Sequence, residues 1–317
     1  MKNTLPQTHN LPLREGVSAS CVQIPAGVWP SLLAFLCARF PAIDEAVWLS
    51  RFARGLVIDQ TGTALLPTAA CKTGARIYYY REVQQELTIP FQENILYRDE
   101  HILVADKPHF LPVIPSGIYV QQTLLTRLKR TTGVATLSPL HRIDKDTAGV
   151  VMFSINPNTR DVYQSLFRAR KIEKQYQAVA RWNPALQYPL QYCSRLVEDA
   201  QFFRTQEIEG EANSETFIDV LANDGEKALY DLRPVTGKKH QLRVHMASLG
   251  MPISCDVLYP VVTKRQEEDF SQPLQLLAKS IAFVDPITNE RRYFSSQLVL
   301  SEAERFITAA STDCAAG

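Results

Sequence analysis

The succession of apolar patterns predicts an α+β protein whose main body is a mixed, mainly antiparallel sheet, preceded by a small α/β module. Helical and strand patterns follow one another irregularly along the 317 residues, without the strand-helix-strand alternation of a parallel α/β fold. A polar stretch at 83–93, with Gln84-Gln85-Glu86 and the breaker Pro90, separates a short N-terminal region from the rest. Beyond it, Val150-Val151-Met152-Phe153 is unbroken apolar sequence and Lys174 to Ala180 alternates with Tyr176, Ala178 and Ala180 on one side, the marks of central strands.

Each element follows from its local pattern. Residues 1–27 form a flexible tail, polar and interrupted by proline. In the module at 28–82, Leu32, Leu33, Leu36 and Phe40 recur at helical spacing until Pro41, and a second helix opens at Asp44-Glu45, carries Val47, Trp48 and Phe52, and stops near Gly55. Short strands follow at 56–58 and 75–80, separated by Thr61-Gly62 and Thr73-Gly74 turns. After the linker at 83–93, a main domain spans 94–303 and a tail occupies 304–317. In the main domain Ile102 to Ala105 is a buried strand ending at Lys107-Pro108, and Leu124, Leu125 and Leu128 mark a helix across 120–130. Asn158 is the expected N-cap of a helix through Val162, Leu166 and Ala169. Strands fit 214–221 and 227–234, and a helix fits 240–249, closed by Gly250.

Composition narrows the classes. Hydrophobic residues make up 45% of the chain, enough for a real core, and the 34 Lys and Arg nearly balance the 33 Asp and Glu. Any nucleic-acid surface is therefore local, and 233–243 is such a place: Arg233, Lys238, Lys239 and Arg243 with no acid among them. The six cysteines are scattered without a CxxC pair, as expected of free thiols in a reducing compartment. No window approaches the roughly 20 apolar residues of a membrane span, and the N-terminus lacks the apolar stretch of a signal peptide. These features predict a soluble, cytoplasmic protein.

The chemistry-bearing stretches are Pro139 to Gly149, containing His141-Arg142-Ile143-Asp144, and Arg233 to His245. The first is superficially like a kinase catalytic loop, but there Asp directly follows Arg, and none of the 13 glycines here forms the GxG of a phosphate-covering loop. Thr236-Gly237-Lys238 lacks the earlier Gly and the following Ser or Thr of a P-loop. His240 and His245, five residues apart, fall on different faces of a helix and read as structural or contact histidines. No metal site is expected.

Four ordered blocks carry a resemblance. Asn94 to Pro108, His141 to Asp144 with Thr147-Ala148-Gly149, Lys174 to Ala178, and Thr236 to His245 continued by Gly250, Pro252-Ile253 and Asp256 to Tyr259 together resemble the RluA-type RNA pseudouridine synthases. The family usually has Ser at Ala148, Arg-Thr at Lys238-Lys239 and Gly at Cys255. None of these departures removes a group that the chemistry needs. The module at 28–82 is similar in layout to S4-type RNA-binding domains, on element order and on Trp48 through Gly55.

The resemblance implies isomerisation of uridine to pseudouridine in structured ribosomal or transfer RNA, with breakage of the C1′–N1 bond and closure at C5. Asp144 is then the catalytic carboxylate, either attacking covalently or assisting a glycal route by taking a ribose proton. Arg243 is its guanidinium partner, ideally bidentate, offsetting the cost of burying a carboxylate. Tyr176 offers a flat face for uracil and a hydroxyl to relay a proton at C5. The target base must be flipped out, with Arg142 filling the vacated space, while Lys107, Lys145, Lys238 and Lys239 are expected phosphate contacts. The rearrangement calls for no cofactor, and RNA is the only expected partner of a chain taken as monomeric. The alternatives are a non-catalytic RNA-binding or RNA-folding protein on the same fold and, more remotely, a hydrolase that would release free uracil.

Overall fold

The computed structural model describes residues 11–83, 86–199, 203–263, 266, 269–304 and 306. They fall into two units: 1–86 with 115–121 and 126–135, and 87–114 with 122–125 and 136–317. The segments 115–121 and 126–135 therefore group with the N-terminal module, whereas the sequence reading placed them in the main domain.

The first unit contains β1 (Ser20–Gln23), α1 (Leu32–Arg39), α2 (Glu45–Ala53), β2 (Val57–Ile58) and β3 (Arg76–Tyr79), with a sheet ordered β1-β3-β2. Both helices start where the sequence places a cap. Ser31 Oγ accepts from the Ala34 amide and Asp44 Oδ1 from the Ala46 amide, each satisfying one of the donors that a helix start leaves open. Gly55, left-handed at φ 63° just past α2, turns the chain into β2. Leu32, Phe35, Leu36, Trp48 and Phe52 bury their helix faces against Val22, Val57, Ile77 and Tyr79, at about 1.5–3 kcal/mol for each large apolar side chain. The flexible tail expected at 1–27 needs correction. Residues 20–23 pair antiparallel with Arg76–Tyr79, because Val22 belongs to this core. Residues 1–10, most of 304–317, and Gln84 and Gln85 of the expected linker lie outside the described residues.

The second unit is built on β4 (Asn94–Arg98), β5 (Ile102–Lys107), α3 (Leu124–Thr132, shared with the first unit), β6 (Ser138–Pro139), β7 (Ala148–Ser154), α4 (Arg160–Arg168), β8 (Glu173–Arg181), β9 (Leu190–Glu198), β10 (Thr205–Ile208), β11 (Ser214–Asn223), β12 (Lys227–Pro234), α5 (Gln241–Ser248), β13 (Leu276–Val284) and β14 (Arg291–Ser295). Its strands form one sheet, β10-β9-β11-β12-β8-β13-β7-β5-β4, with β14 added to β13 and β6 to β7. Every pairing is antiparallel except β13 with β7, so the expected α+β class with a mixed, mainly antiparallel sheet holds.

The β7–β13 crossing explains Gly149. A Cβ there would lie 2.2 Å from the Ala278 carbonyl oxygen, so only glycine lets the two backbones approach. All seven residues of β7 are buried, as the apolar run at 150–153 implies. Ala178 and Ala180 of β8 pack with Tyr230 and Leu232 of β12 and with Leu242 and Met246 of α5. Asn158 is not the cap of α4. Thr159 holds that position without a side-chain cap bond, and the Asn158 amide is taken by the Asn156 side chain.

Candidate active site

The connection from β6 to β7 carries Asp144. Antiparallel pairing of Ser138 with Ser154 and Pro139 with Phe153 makes residues 140–147 a hairpin loop. Its base is fixed by His141, whose Nε2 accepts from the Met152 amide at 3.1 Å and whose ring stacks on Phe167 at 4.8 Å. Burial, with the charge of Lys174 adding to it, pushes His141 down to about 3, so the ring is neutral. Farther along, the His109 ring meets the Asp146 carbonyl at 2.7 Å, and Lys107 Nζ donates to the carbonyls of Pro108, Leu111 and Lys145 at 2.8–2.9 Å. Three carbonyls match the three N–H donors of an ammonium.

Lys107 therefore cannot meet an RNA phosphate, which corrects the sequence expectation. It is completely buried and holds the backbone beside Asp144. Burial pushes it down to about 7, against the opposing pull of Asp146 and Asp144.

Arg243 reaches the same loop from α5, 99 residues away in sequence. Helix α5 is buried nearly all round, with Leu242 and Met246 in the sheet-facing core and Val244 against Leu196 and Tyr259. Arg243 Nη1 donates to Asp144 Oδ2 at 3.2 Å. The bidentate partner, however, is Asp256: Nε meets Oδ2 at 2.8 Å and Nη2 meets Oδ1 at 2.7 Å. The sequence reading gave that geometry to Asp144. Desolvation opposes the guanidinium's charge, but the hydrogen bonds and charge of Asp256, followed by Asp144, outweigh it and hold Arg243 above the ordinary arginine range. Asp256 Oδ1 also accepts from the Leu258 and Tyr259 amides, so the fork rests on a fixed carboxylate. Cys255, left-handed at φ 61°, makes the preceding bend, which accounts for glycine being usual at that position.

Tyr176 lies half-buried on β8, paired with Leu232 on one side and Ala278 on the other. Burial first, then the charge of Asp144, raise its phenol well above the usual value, so it stays protonated near neutral pH and Asp144 acts on it electrostatically. His240, immediately before α5, places Nε2 3.8 Å from Asp144 Oδ2 and Nδ1 2.8 Å from the Tyr259 hydroxyl. Burial lowers its pKa, with Asp144 acting in the opposite direction.

The fold thus gathers Asp144, Arg243 and Tyr176 from a hairpin loop, a helix and a central strand. Arg142, Lys145, Lys238 and Lys239 are exposed around the two motif loops. His245, read as structural or contact, is buried and meets Ser194, Ser214 and Thr216. Sequence reasoning gave no role to Asp256, Tyr259 or Lys107's carbonyl cradle. An acid three residues before a tyrosine, in a segment with Pro252 and Pro260, was the available signal, but its partner is 13 residues back and invisible without the fold. Among the described residues no three His, Cys, Asp or Glu side chains converge as a metal site.

Residues 101–248 match the RNA pseudouridylate synthase family. The chain is 31% identical over 207 residues to the dual-specificity RNA pseudouridine synthase RluA of Pasteurella multocida, covering 64% of this chain and 92% of that protein. It is 30% identical over 223 residues to tRNA pseudouridine synthase C of Vibrio parahaemolyticus, covering 63% and 88%. Among solved structures, human RNA pseudouridylate synthase domain containing 4 superposes with a TM-score of 0.52 at 26% identity, over 65% of this chain and 88% of that one. The matched span includes Asp144, Tyr176 and Arg243, and with near-complete coverage of a relative above 30% identity the conclusion is direct: this chain belongs to the RNA pseudouridine synthases of the RluA type, enzymes that isomerise uridine to pseudouridine in RNA.

Proposed function

We propose that Asp144 is the carboxylate that opens the glycosidic bond of a flipped-out uridine in a ribosomal or transfer RNA stem-loop. The observation that carries this reading is the 3.2 Å bond from the buried Arg243 guanidinium to an aspartate that keeps 28% of its side chain exposed. An anion oriented by a fixed cation yet open to solvent can be reached by a ribose without a rearrangement of the protein. Tyr176, kept neutral, supplies a stacking face for the detached uracil and places its hydroxyl oxygen near C5, whose proton must leave once C5 has bonded to C1′, while N1 gains a proton. Arg142, exposed on the loop beside Asp144, enters the space the base leaves, and Lys145, Lys238 and Lys239 contact phosphates.

The region 94–303, apart from 115–121 and 126–135, is the catalytic domain, and 28–82 together with β1 is an S4-like RNA-contacting module, in a cytoplasmic monomer. Among the described residues no helix is long and apolar enough to cross a membrane. The names of the two bacterial relatives, a tRNA pseudouridine synthase and a dual-specificity RNA pseudouridine synthase, support an RNA target and a transfer RNA among the candidates.

The test is mass-spectrometric mapping of pseudouridine in total RNA from cells with and without the gene, complemented by wild type or Asp144→Ala. A site lost with the gene, restored by wild type and left unmodified by Asp144→Ala, is the expected result. Restoration by Asp144→Ala would remove Asp144 from the chemistry. Incubating the purified protein with RNA that contains 5-fluorouridine separates an enzyme, which leaves a stable adduct or product, from a reversible binder.

A further inference from the structure

We infer that His240 is a positioning residue for Asp144: its Nε2–H engages the carboxylate oxygen that Arg243 already holds, and leaves Oδ1 as the oxygen that meets the ribose. The inference rests on Asp144 being the catalytic carboxylate.

The argument begins with the tautomer. The Thr205 amide donates to the Tyr259 hydroxyl at 2.8 Å, and that hydroxyl lies 2.8 Å from His240 Nδ1. With its oxygen accepting from Thr205, Tyr259 has one proton to place, and Nδ1 is the acceptor in reach. Nδ1 is then unprotonated, and a neutral imidazole carries its proton on Nε2. Burial favours that neutral form against the mixed field of Asp144, Arg243, Lys239 and Asp256.

Nε2 faces Asp144 Oδ2 at 3.8 Å, and the same oxygen accepts from Arg243 Nη1 at 3.2 Å. Among the described residues Oδ1 has no hydrogen-bond donor. The two oxygens therefore differ: one is held by Arg243 and faced by His240, the other is open. The 3.8 Å separation is longer than a hydrogen bond, and closing it needs a shift of under about 1 Å when RNA fills the site. No proton is transferred in this role, and Nε2–H stays on the ring throughout.

The backbone points the same way. His240 is left-handed at φ 55° and ψ 17°, a region that few residues with a Cβ adopt. Only 9% of the side chain is exposed, so the imidazole is oriented toward the site and away from solvent.

The experiment compares His240→Gln, His240→Asn, His240→Phe, Tyr259→Phe and Asp144→Ala on a stem-loop RNA carrying the mapped uridine, with thermal melting of each protein. Gln keeps a donor near the Nε2 position, Asn is too short to reach Asp144, and Phe has no donor. We expect His240→Asn and His240→Phe to lower kcat about 10- to 100-fold with KM unchanged, His240→Gln to stay within about threefold of wild type, and Tyr259→Phe to fall between. Wild-type kcat in His240→Phe overturns the inference. So does an equal loss in all three His240 variants, which marks a packing role, or a loss confined to KM, which marks an RNA contact. If His240→Phe does not fold, the Gln-to-Asn ratio and Tyr259→Phe decide: a ratio near one, or wild-type kcat in Tyr259→Phe, rejects the positioning role. Full activity of Asp144→Ala would instead remove the catalytic reading on which it rests.

Discussion

Asp256 and Asp144 share one guanidinium and differ in almost every other respect. Asp256 has 1% of its side chain exposed, takes two bonds from Arg243 and two from backbone amides; Asp144 has 28% exposed and takes one bond from Arg243. The first arrangement anchors Arg243 and the second uses its remaining nitrogen. A cation fixed before substrate arrives needs no reorganisation when charge develops, which is where electrostatic catalysis draws its strength. The difference also separates stability from activity, because removing one partner of a buried pair strands the other charge.

Exchanging the two roles would break that comparison. Asp144→Asn should lower kcat by about 10³-fold or more while leaving the denaturant midpoint nearly unchanged. Asp256→Asn should cost about 3–5 kcal/mol in unfolding free energy, because Arg243 is left buried with one weak partner, and should lower activity as the fork loses its orientation. A stable Asp256→Asn protein would mean that Asp144 alone anchors Arg243.

Helix α5 offers a pH-dependent version of the same contrast, since His245 lies two residues beyond Arg243. Burial, opposed by Glu207, holds His245 down to about 4, below its unfolded value of 6.5. The unfolded chain therefore binds more protons between those values. The stability His245 contributes is fully present above pH 6.5 and is lost as pH falls from 6.5 toward 4, by up to about 3 kcal/mol. Unfolding measured across that window should show the loss in wild type and a flatter profile in His245→Gln.

Lys107→Met sharpens the comparison from the other side of Asp144. It leaves the Pro108, Leu111 and Lys145 carbonyls without their donor, so we expect a loss of about 1–3 kcal/mol in stability. Activity should fall further than in an equally destabilised variant remote from the site, because Lys145 follows Asp144 directly. The smallest effect belongs to the exposed pair. Lys238→Ala and Lys239→Ala should each weaken RNA binding about uniformly across sequences and reduce the salt dependence by about one counterion, read from binding titrations at several salt concentrations.

Much of the architecture was legible because burial writes itself into periodicity. The unbroken run at 150–153 became a fully buried β7, and the alternation of Tyr176, Ala178 and Ala180 gave the correct inner face of β8. β9 was missed although its exposed and buried positions largely alternate, and β13 was missed because Lys279 and Ser280 break its apolar sequence while burial along nearly all of it leaves no alternation. β1 was missed because four residues contain a single core position, Val22. The pairing of Asp144 with Arg243 was anticipated from motif resemblance. Asp256 stood in a motif block without a role and His240 was read only as a structural or contact histidine, because each owes its place in the site to a partner supplied by another part of the chain.

By itself, the sequence determined the kinds of element, the α+β class, and which charged residues cluster near which apolar runs, since these depend on short-range spacing and on the need to bury apolar surface. Tertiary structure alone decided what each charge does. Lys107 and Lys238 are the same residue type beside similar turns, yet one is enclosed by three carbonyls and the other is exposed to solvent. Arg243 could have forked onto either aspartate until the segment at 256–259 was packed against α5. The physical reason is that a charge's energy is set by the dielectric and the partners within a few ångströms, and in this site those partners come from segments far apart in the chain.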